Sequence, residues 1–228
     1  MKIPKIIHQV YEDPNGPSGL LKQLSESWRK FNPDWEYIFW DKPKMETLIK
    51  EDFPDFMETY KSFPHNVQRW DAIRYLILYK YGGLYVDMDY ECLKPINDLL
   101  AGKICCLGQE AHIIKDNNSF AGNAFMASVA GYGFWKEVIN EMKTYICNYH
   151  SDNKFYVVMH TTGPFMITRV YKSYANNAEI YMIPAKYVAP LSKPEALGVI
   201  KKRENPNFTI KEKISNAYAI HYFMGSWM

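Results

Sequence analysis

The run DAIRYLILYKYGGLYVDMDYE, from Asp71 to Glu91, constrains the fold of this chain more than any other stretch. Val67, Trp70, Ile73 and Leu76 or Ile77 recur every three or four residues, which predicts a helix with one apolar stripe facing a core. Asp71 and Arg74, three apart, share another face of that helix. Gly82 and Gly83 predict its end, because glycine reaches the left-handed dihedrals of a C-terminal cap without steric cost. In LYVDMD the period becomes two, so a short strand is predicted: Leu84, Val86 and Met88 point one way, and Tyr85, Asp87 and Asp89 the other. The two aspartates then emerge side by side on one edge. At the tip of a buried parallel strand two unneutralised carboxylates are costly, and a divalent cation is the simplest remedy. Asp-x-Asp by itself is a weak signal, since a solvated strand end and a surface ion pair of about 0.5 kcal/mol would account for it. What gives it weight is the order helix, Gly-Gly, strand, Asp-x-Asp.

The rest of the sequence bounds the answer. The 228 residues suit one domain and a sizeable core. Net charge is 27 − 25 = +2, too small to argue for nucleic acid. Cys92, Cys105, Cys106 and Cys147 lack C-x-x-C spacing and read as reduced, mostly buried thiols, which favours a cytoplasmic setting. Cys105 and Cys106, being adjacent, point to opposite faces of any strand. No stretch reaches the roughly 18 apolar residues of a membrane span, and the amino terminus lacks a basic segment followed by an apolar one. The chain is therefore expected to be soluble and not exported.

In chain order, Lys5–Tyr11 is predicted as the first strand, followed by the turn-rich EDPNGPSG at its carboxyl end, where open α/β sheets bind ligands. Leu21, Leu24, Trp28 and Phe31 keep helical spacing after a cap at Ser18 or Gly19. Glu36–Trp40 is the second strand, and strand-helix-strand implies parallel pairing with a right-handed crossover. Residues 43–63 read as two short helices broken near Pro54, and the segment 43–65 as a helical flap. Ile104–Leu107 is a candidate strand, Gln109–Phe120 a polar loop beside the site, and Tyr132–Tyr149 a helix with a core stripe of Trp135, Val138 or Ile139, Met142 and Tyr145 or Ile146. Gly163-Pro164 starts another helix, with Thr161 and Thr162 read as capping. Residues 185–213, rich in Lys and Pro, read as a solvated loop; a basic surface over 186–213 meeting anionic lipid or a lipid-linked diphosphate is the alternative.

At the Asp-x-Asp run the chain resembles the DXD-containing glycosyltransferases of family 32, and more distantly the glucosylating domain of large clostridial toxins. IPKIIHQVY near the start, PDWEYIFWD at 33–41 and AIHYFMGSW at the end resemble other landmarks of that family in the same order. The resemblance implies an α/β fold of GT-A type, with one mixed, mostly parallel sheet flanked by helices. It implies a single domain over 1–228 whose segment 185–228 closes the site. Asp89 would bind Mn²⁺ or Mg²⁺ directly, and Asp87 would reach both the ribose and the metal. Asp71 and Arg74 would hold donor-sugar hydroxyls, Asn123 in GNAFMAS would contact the donor, and Tyr11 would stack on the base. His221 would be a metal or phosphate ligand, Ser226 a ligand through its hydroxyl, and Trp227 a cover.

The implied activity is retaining transfer of a hexose from a nucleotide sugar to a glycan or lipid-linked saccharide. A UDP-hexose donor and bacterial surface polysaccharide synthesis at the inner face of the membrane are expected, with a GDP-mannose-dependent mannosyltransferase as the alternative. Two rivals come from other classes. A haloacid-dehalogenase-like phosphatase wants Thr or Val two residues beyond an Asp-x-Asp near the chain start, whereas Tyr90 and Glu91 follow here. A non-catalytic sugar-binding protein would not need Asp71, Arg74, Asp87 and Asp89 all intact.

Overall fold

The computed structural model describes residues 2–109, 120–145, 149, 151–202 and 208–225. Apolar residues alternating between two faces build a mixed sheet in the order β2-β1-β3-β6-β5-β7. β1 (Ile6–Val10) pairs in parallel with β2 (Glu36–Trp40) and with β3 (Gly83–Val86). A two-stranded ribbon adds β4 (Tyr90–Cys92) against the last strand, β8 (Ala219–His221). In the main sheet β5 (Cys105–Gln109) runs antiparallel to β6 (Ala121–Ser128) and parallel to β7 (Ile180–Ile183). β6 also lies antiparallel to β3, so it is the strand that reverses the sheet.

The alternation settles which residues fill which side. Tyr85, Met126, Cys105 and Leu107 enter one core, while Leu84, Val86, Phe125, Ala127 and Cys106 enter the other. Cys105 and Cys106 therefore lie on opposite faces, as adjacent strand residues must, and Cys92, Cys105 and Cys106 are all buried and free; Cys147 lies outside the described residues. The second core is covered by α1 (Gly19–Phe31), whose Trp28 is fully buried and donates its indole N–H to Tyr90 O at 3.0 Å.

The first core holds α2 (Lys42–Asp52), α3 (Met57–Ser62) and α4 (Asn66–Tyr81), with Met45, Leu48, Ile49, Phe56 and Phe63 packed into the same cluster as α4. After the short α5 (Asn97–Leu100) come α6 (Gly133–Tyr145), α7 (Lys154–Thr161) and α8 (Pro164–Ser173). The predicted α6 stripe is buried at Trp135, Val138, Ile139 and Met142; Ile146 lies outside the described residues. α4 itself departs from the sequence reading, because it is buried almost all round rather than along one stripe. Helices and sheet enclose it from several sides, so Asp71 and Arg74 sit in the interior.

Gly82 and Gly83 end α4 at φ of +66° and +89°, and a Cβ on Gly83 would lie 2.5 Å from Ile6 O. The pair thus serves a close approach as well as a helix stop. Residues 185–213 are another correction. The described residues there include α9 (Ala185–Val188), α10 (Lys193–Lys202) and α11 (Phe208–Ser215) instead of a solvated loop. Leu191 and Ala196 are buried against Leu24, Ile220 and Tyr222, so packing overrides a composition rich in Lys and Pro.

His8 braces the turn after α4. Its Nδ1 accepts the Trp40 indole N–H at 3.1 Å, so its neutral ring donates from Nε2 to Gly82 O at 3.0 Å. Burial pushes its pKa down to about 4. An unfolded imidazole takes its proton near pH ~6.5 and the folded one only near 4, so this residue's contribution is lost as pH falls across that window, by about 3 kcal/mol. Urea unfolding of the parent and His8→Gln is expected to show a stability gap that narrows by that amount; a gap that stays constant contradicts the account.

Candidate active site

β1 and β3 run in parallel, so their carboxyl ends, and the turn after β3, open at one edge of the sheet. The strand stops at Val86. Asp87, Met88 and Asp89 form the following turn, closed by Tyr90 N–H to Asp87 O at 3.2 Å. This corrects the reading of both aspartates as strand residues, because pairing beyond Val86 is reduced to the Asp87 amide on Ala124 O at 2.9 Å. The turn is pinned from β1 by Gln9, whose side-chain amide donates to Asp87 O at 3.1 Å.

From α4, Arg74 reaches both acidic groups. Its Nη2 lies 3.0 Å from Asp71 Oδ1, its Nη1 3.1 Å from Asp87 Oδ1, and Nη1 also donates to Asn123 O at 2.8 Å. The guanidinium carbon lies 4.9 Å from the centre of the Tyr85 ring. Arg74 Nε is buried with no hydrogen-bond partner among the described residues, a donor that a ligand oxygen can satisfy.

Asp71 is 4% exposed and both of its oxygens are engaged. Oδ1 also accepts from Asn123 Nδ2 at 3.1 Å, and Oδ2 accepts the Thr162 hydroxyl at 2.8 Å. Burial pushes its pKa up to about 6, against the pull of Arg74, Thr162 and Asn123. Tyr75, one turn along from Asp71, receives Asn123 Nδ2 at 3.0 Å and donates to Thr162 O at 2.6 Å.

The ribbon delivers the third part. Tyr90 pairs with His221, and the chain beyond β8 folds over Asp89, with Tyr222 N–H on Asp89 O at 3.0 Å and Met224 N–H on Asp89 Oδ2 at 2.8 Å. His221 Nε2 faces Asp89 Oδ1 at 3.4 Å, its ring stacked on Tyr90 at 4.3 Å. Asp87, Asp89 and His221 each offer one ligand atom within 4.8 Å of the others. Burial raises the Asp87 pKa despite Arg74, whereas for Asp89 burial is outweighed by His221 and the Met224 amide, which hold its carboxyl below the usual range. With His221 neutral, as a metal ligand must be, three carboxylates against one guanidinium leave two negative charges, which one divalent cation would balance. Two carboxylates and an imidazole form a donor set that fits Mn²⁺ or Mg²⁺.

Residues 19–104 match the family described as the glycosyltransferase sugar-binding region containing the DXD motif. Over 180 residues, 78% of the chain, it is 35% identical to the mannosyl phosphorylinositol ceramide synthase CSH1 of Saccharomyces cerevisiae, covering 45% of that protein. Residues 19–104 thus carry the sugar-binding region of the DXD-containing glycosyltransferases. A second relative of the family, inositol phosphoceramide mannosyltransferase 3 of Schizosaccharomyces pombe, is 32% identical over 172 residues, 75% of the chain and 46% of that protein. The chain thus spans about half the length of the curated relatives it matches. Among solved structures, the PaToxG glycosyltransferase superposes with a TM-score of 0.56 at 16% identity, covering 95% of this chain and 89% of that one. The galactosyltransferase LgtC superposes with a TM-score of 0.51 at 10% identity, covering 96% and 87%. These likenesses show the GT-A fold, and the small ribbon is an addition to the single sheet expected.

Of the residues singled out from the sequence, the structure brings together Asp71, Arg74, Asp87, Asp89, Asn123 and His221. Tyr11 follows β1 and is half-buried, and among the described residues its side chain makes no hydrogen bond, ion pair or ring contact. Ser226, Trp227 and the loop 110–119 lie outside the described residues. Sequence reasoning missed Tyr75 and Thr162, and gave Tyr85 a direction without a role, although its hydroxyl donates to Asp87 Oδ1 at 2.7 Å. Strand alternation could have found Tyr85, and i,i+4 spacing from Asp71 could have found Tyr75. Thr162, read as a simple cap, is 91 residues from its partner and carries no local signal. Thr162→Val keeps the shape but strands a buried carboxylate oxygen, so urea unfolding is expected to show a loss of about 1–3 kcal/mol; a loss no larger than that of a surface substitution would contradict this placement.

Proposed function

We propose that the chain transfers a hexose from a nucleotide sugar to a glycan or lipid-linked acceptor, with retention, and that Asp87, Asp89 and His221 hold the required cation. The observation that carries this is the meeting of those three ligand atoms within 4.8 Å, beside a buried Arg74 bridged to Asp71 and Asp87. Mn²⁺ is favoured over Mg²⁺ because one donor is an imidazole. When bound, the cation supplies Lewis-acid neutralisation of the charge growing on the leaving diphosphate.

The chain's own residues do the rest. Arg74, with its fork fixed at both ends, offers Nε to a phosphate or sugar oxygen. Asp71, with Arg74, Asn123 and Thr162 on its two oxygens, is oriented to accept a donor hydroxyl and is poorly placed to act as a nucleophile. Displacement is therefore assigned to the front face. The bond from anomeric carbon to diphosphate oxygen breaks with its electron pair on the diphosphate, the acceptor oxygen bonds to the same face, and the acceptor proton passes to the departing diphosphate.

The mannosyltransferase names among the relatives support mannose as the transferred sugar, so GDP-mannose stands ahead of the UDP-hexose expected from the sequence. The same names support a phosphosphingolipid acceptor rather than bacterial surface polysaccharide. The meeting of intact Asp71, Arg74, Asp87 and Asp89 in one cluster speaks against a decayed, binding-only site. Free, buried Cys92, Cys105 and Cys106 support a reducing, cytoplasmic setting. Peripheral membrane contact through 186–213 rests on the exposure of basic residues such as Lys211; among the described residues no helix is long and apolar enough to cross a membrane.

Purified protein is expected to release GDP from GDP-mannose, or UDP from UDP-glucose or UDP-galactose, only with Mn²⁺ or Mg²⁺, and Asp89→Ala to lose roughly 10²-fold or more of that rate. Absence of both turnover and a metal-dependent melting shift with every one of these donors would overturn the proposal.

A further inference from the structure

Between α7, α8 and the start of β6 lies a cavity of about 520 Å³, within the roughly 300–1,000 Å³ of small-ligand sites. Its wall is aromatic. Phe120 meets Phe165 edge-on at 5.1 Å, and Phe165 meets His160 edge-on at 5.0 Å. Tyr149 stacks on His160 at 4.8 Å, and Phe155 and Tyr156, 36% and 48% exposed, extend the aromatic surface outward. Burial and the neighbouring Arg169 charge hold the His160 pKa below the usual imidazole range, so its ring is an uncharged face near neutral pH.

The rim is basic. Arg169 is paired with Glu141 at 2.8 Å and donates to His160 O at 3.2 Å. Lys172 is exposed and has no carboxylate in ion-pair range among the described residues. The donor side, with Asp71, Asp87 and Asp89, has the opposite sign.

Two short stretches of chain keep this cavity near Asp71 and Asn123. His160 precedes Thr162, the hydroxyl donor to Asp71, by two residues. Phe120 precedes Asn123 by three, a span of at most about 10 Å, and Thr168 Oγ1 ties that wall down by accepting Ala121 N–H at 3.0 Å.

We infer that this cavity is the acceptor subsite, and that it takes a sugar ring bearing an anionic group such as a phosphate. The aromatic wall provides the face on which the ring stacks, and Lys172 draws the anion to the rim and away from the aspartates. The inference rests on the transferase reading, and its test separates the two.

With the full chain, Mg²⁺ and GDP, saturation-transfer NMR is run with methyl α-mannopyranoside and mannose 6-phosphate. Both are expected to bind, the phosphorylated sugar about tenfold more tightly. Lys172→Glu is expected to remove that advantage, and Phe165→Ala, checked for a cooperative melting transition, to abolish both signals. Absence of saturation with either probe, or unaltered binding in both variants, overturns the subsite alone when nucleotide sugars still raise the parent's melting temperature. Probe binding through Phe165 and Lys172 with no melting shift from any nucleotide sugar overturns the transferase reading and the acceptor assignment together.

Discussion

Arg74 is 6% exposed, and a guanidinium that far from water is tolerable only because carboxylates and a carbonyl accept hydrogen bonds from its N–H groups. Burial alone would weaken its charge; Asp87, then Tyr85 and Asp71, hold it protonated. The dependence runs both ways. Asp71 and Asp87 are raised by burial, and Arg74 is the largest influence opposing that rise in each. One side chain on α4 therefore keeps ionised one carboxylate on its own helix and another in the turn after β3. Its removal would leave buried Asp71 and half-buried Asp87 with no cation between them, which is why Lys, with a single point of charge, is no substitute for its fork.

The fold supplies what this interaction needs. The parallel pairing of β1 with β3 opens the turn at one edge, and Gln9 anchors it. The antiparallel β6 runs alongside β3, so Asn123 reaches Asp71 and Tyr75. The β4–β8 ribbon is short, yet it carries His221 back to Asp89 from the far end of the chain. Each partner of the acidic cluster thus arrives on a different element, and the sheet fixes their relative positions.

Much of this was legible from local period. β2 at Glu36–Trp40, the break near Pro54, and the helix closed by Gly82 and Gly83 all follow from spacing and backbone preference. Alternation also gave the side of the sheet to which Tyr85 and Asp87 turn. It could not give where β3 ends, because that depends on when β6 ceases to pair with it. Thr162 on Asp71 was invisible for a similar reason, since no sequence rule connects residues 91 apart. α10 was hidden by the lysines and prolines in and around it; its Ala196, and Leu191 just before it, are buried in one cluster with Leu24 and Tyr222, contacts that composition does not report. A three-residue strand such as β8 carries too little pattern to be recognised at all.

Anomalous diffraction from crystals grown with Mn²⁺ and GDP tests directly whether Asp87, Asp89 and His221 bound one cation site next to Arg74. A single strong manganese peak within about 2.6 Å of an oxygen of Asp87 or Asp89, on the side facing His221, with diphosphate density extending toward Arg74, is the predicted result. Manganese bound elsewhere, or diphosphate bound with no metal between it and these aspartates, would contradict the account.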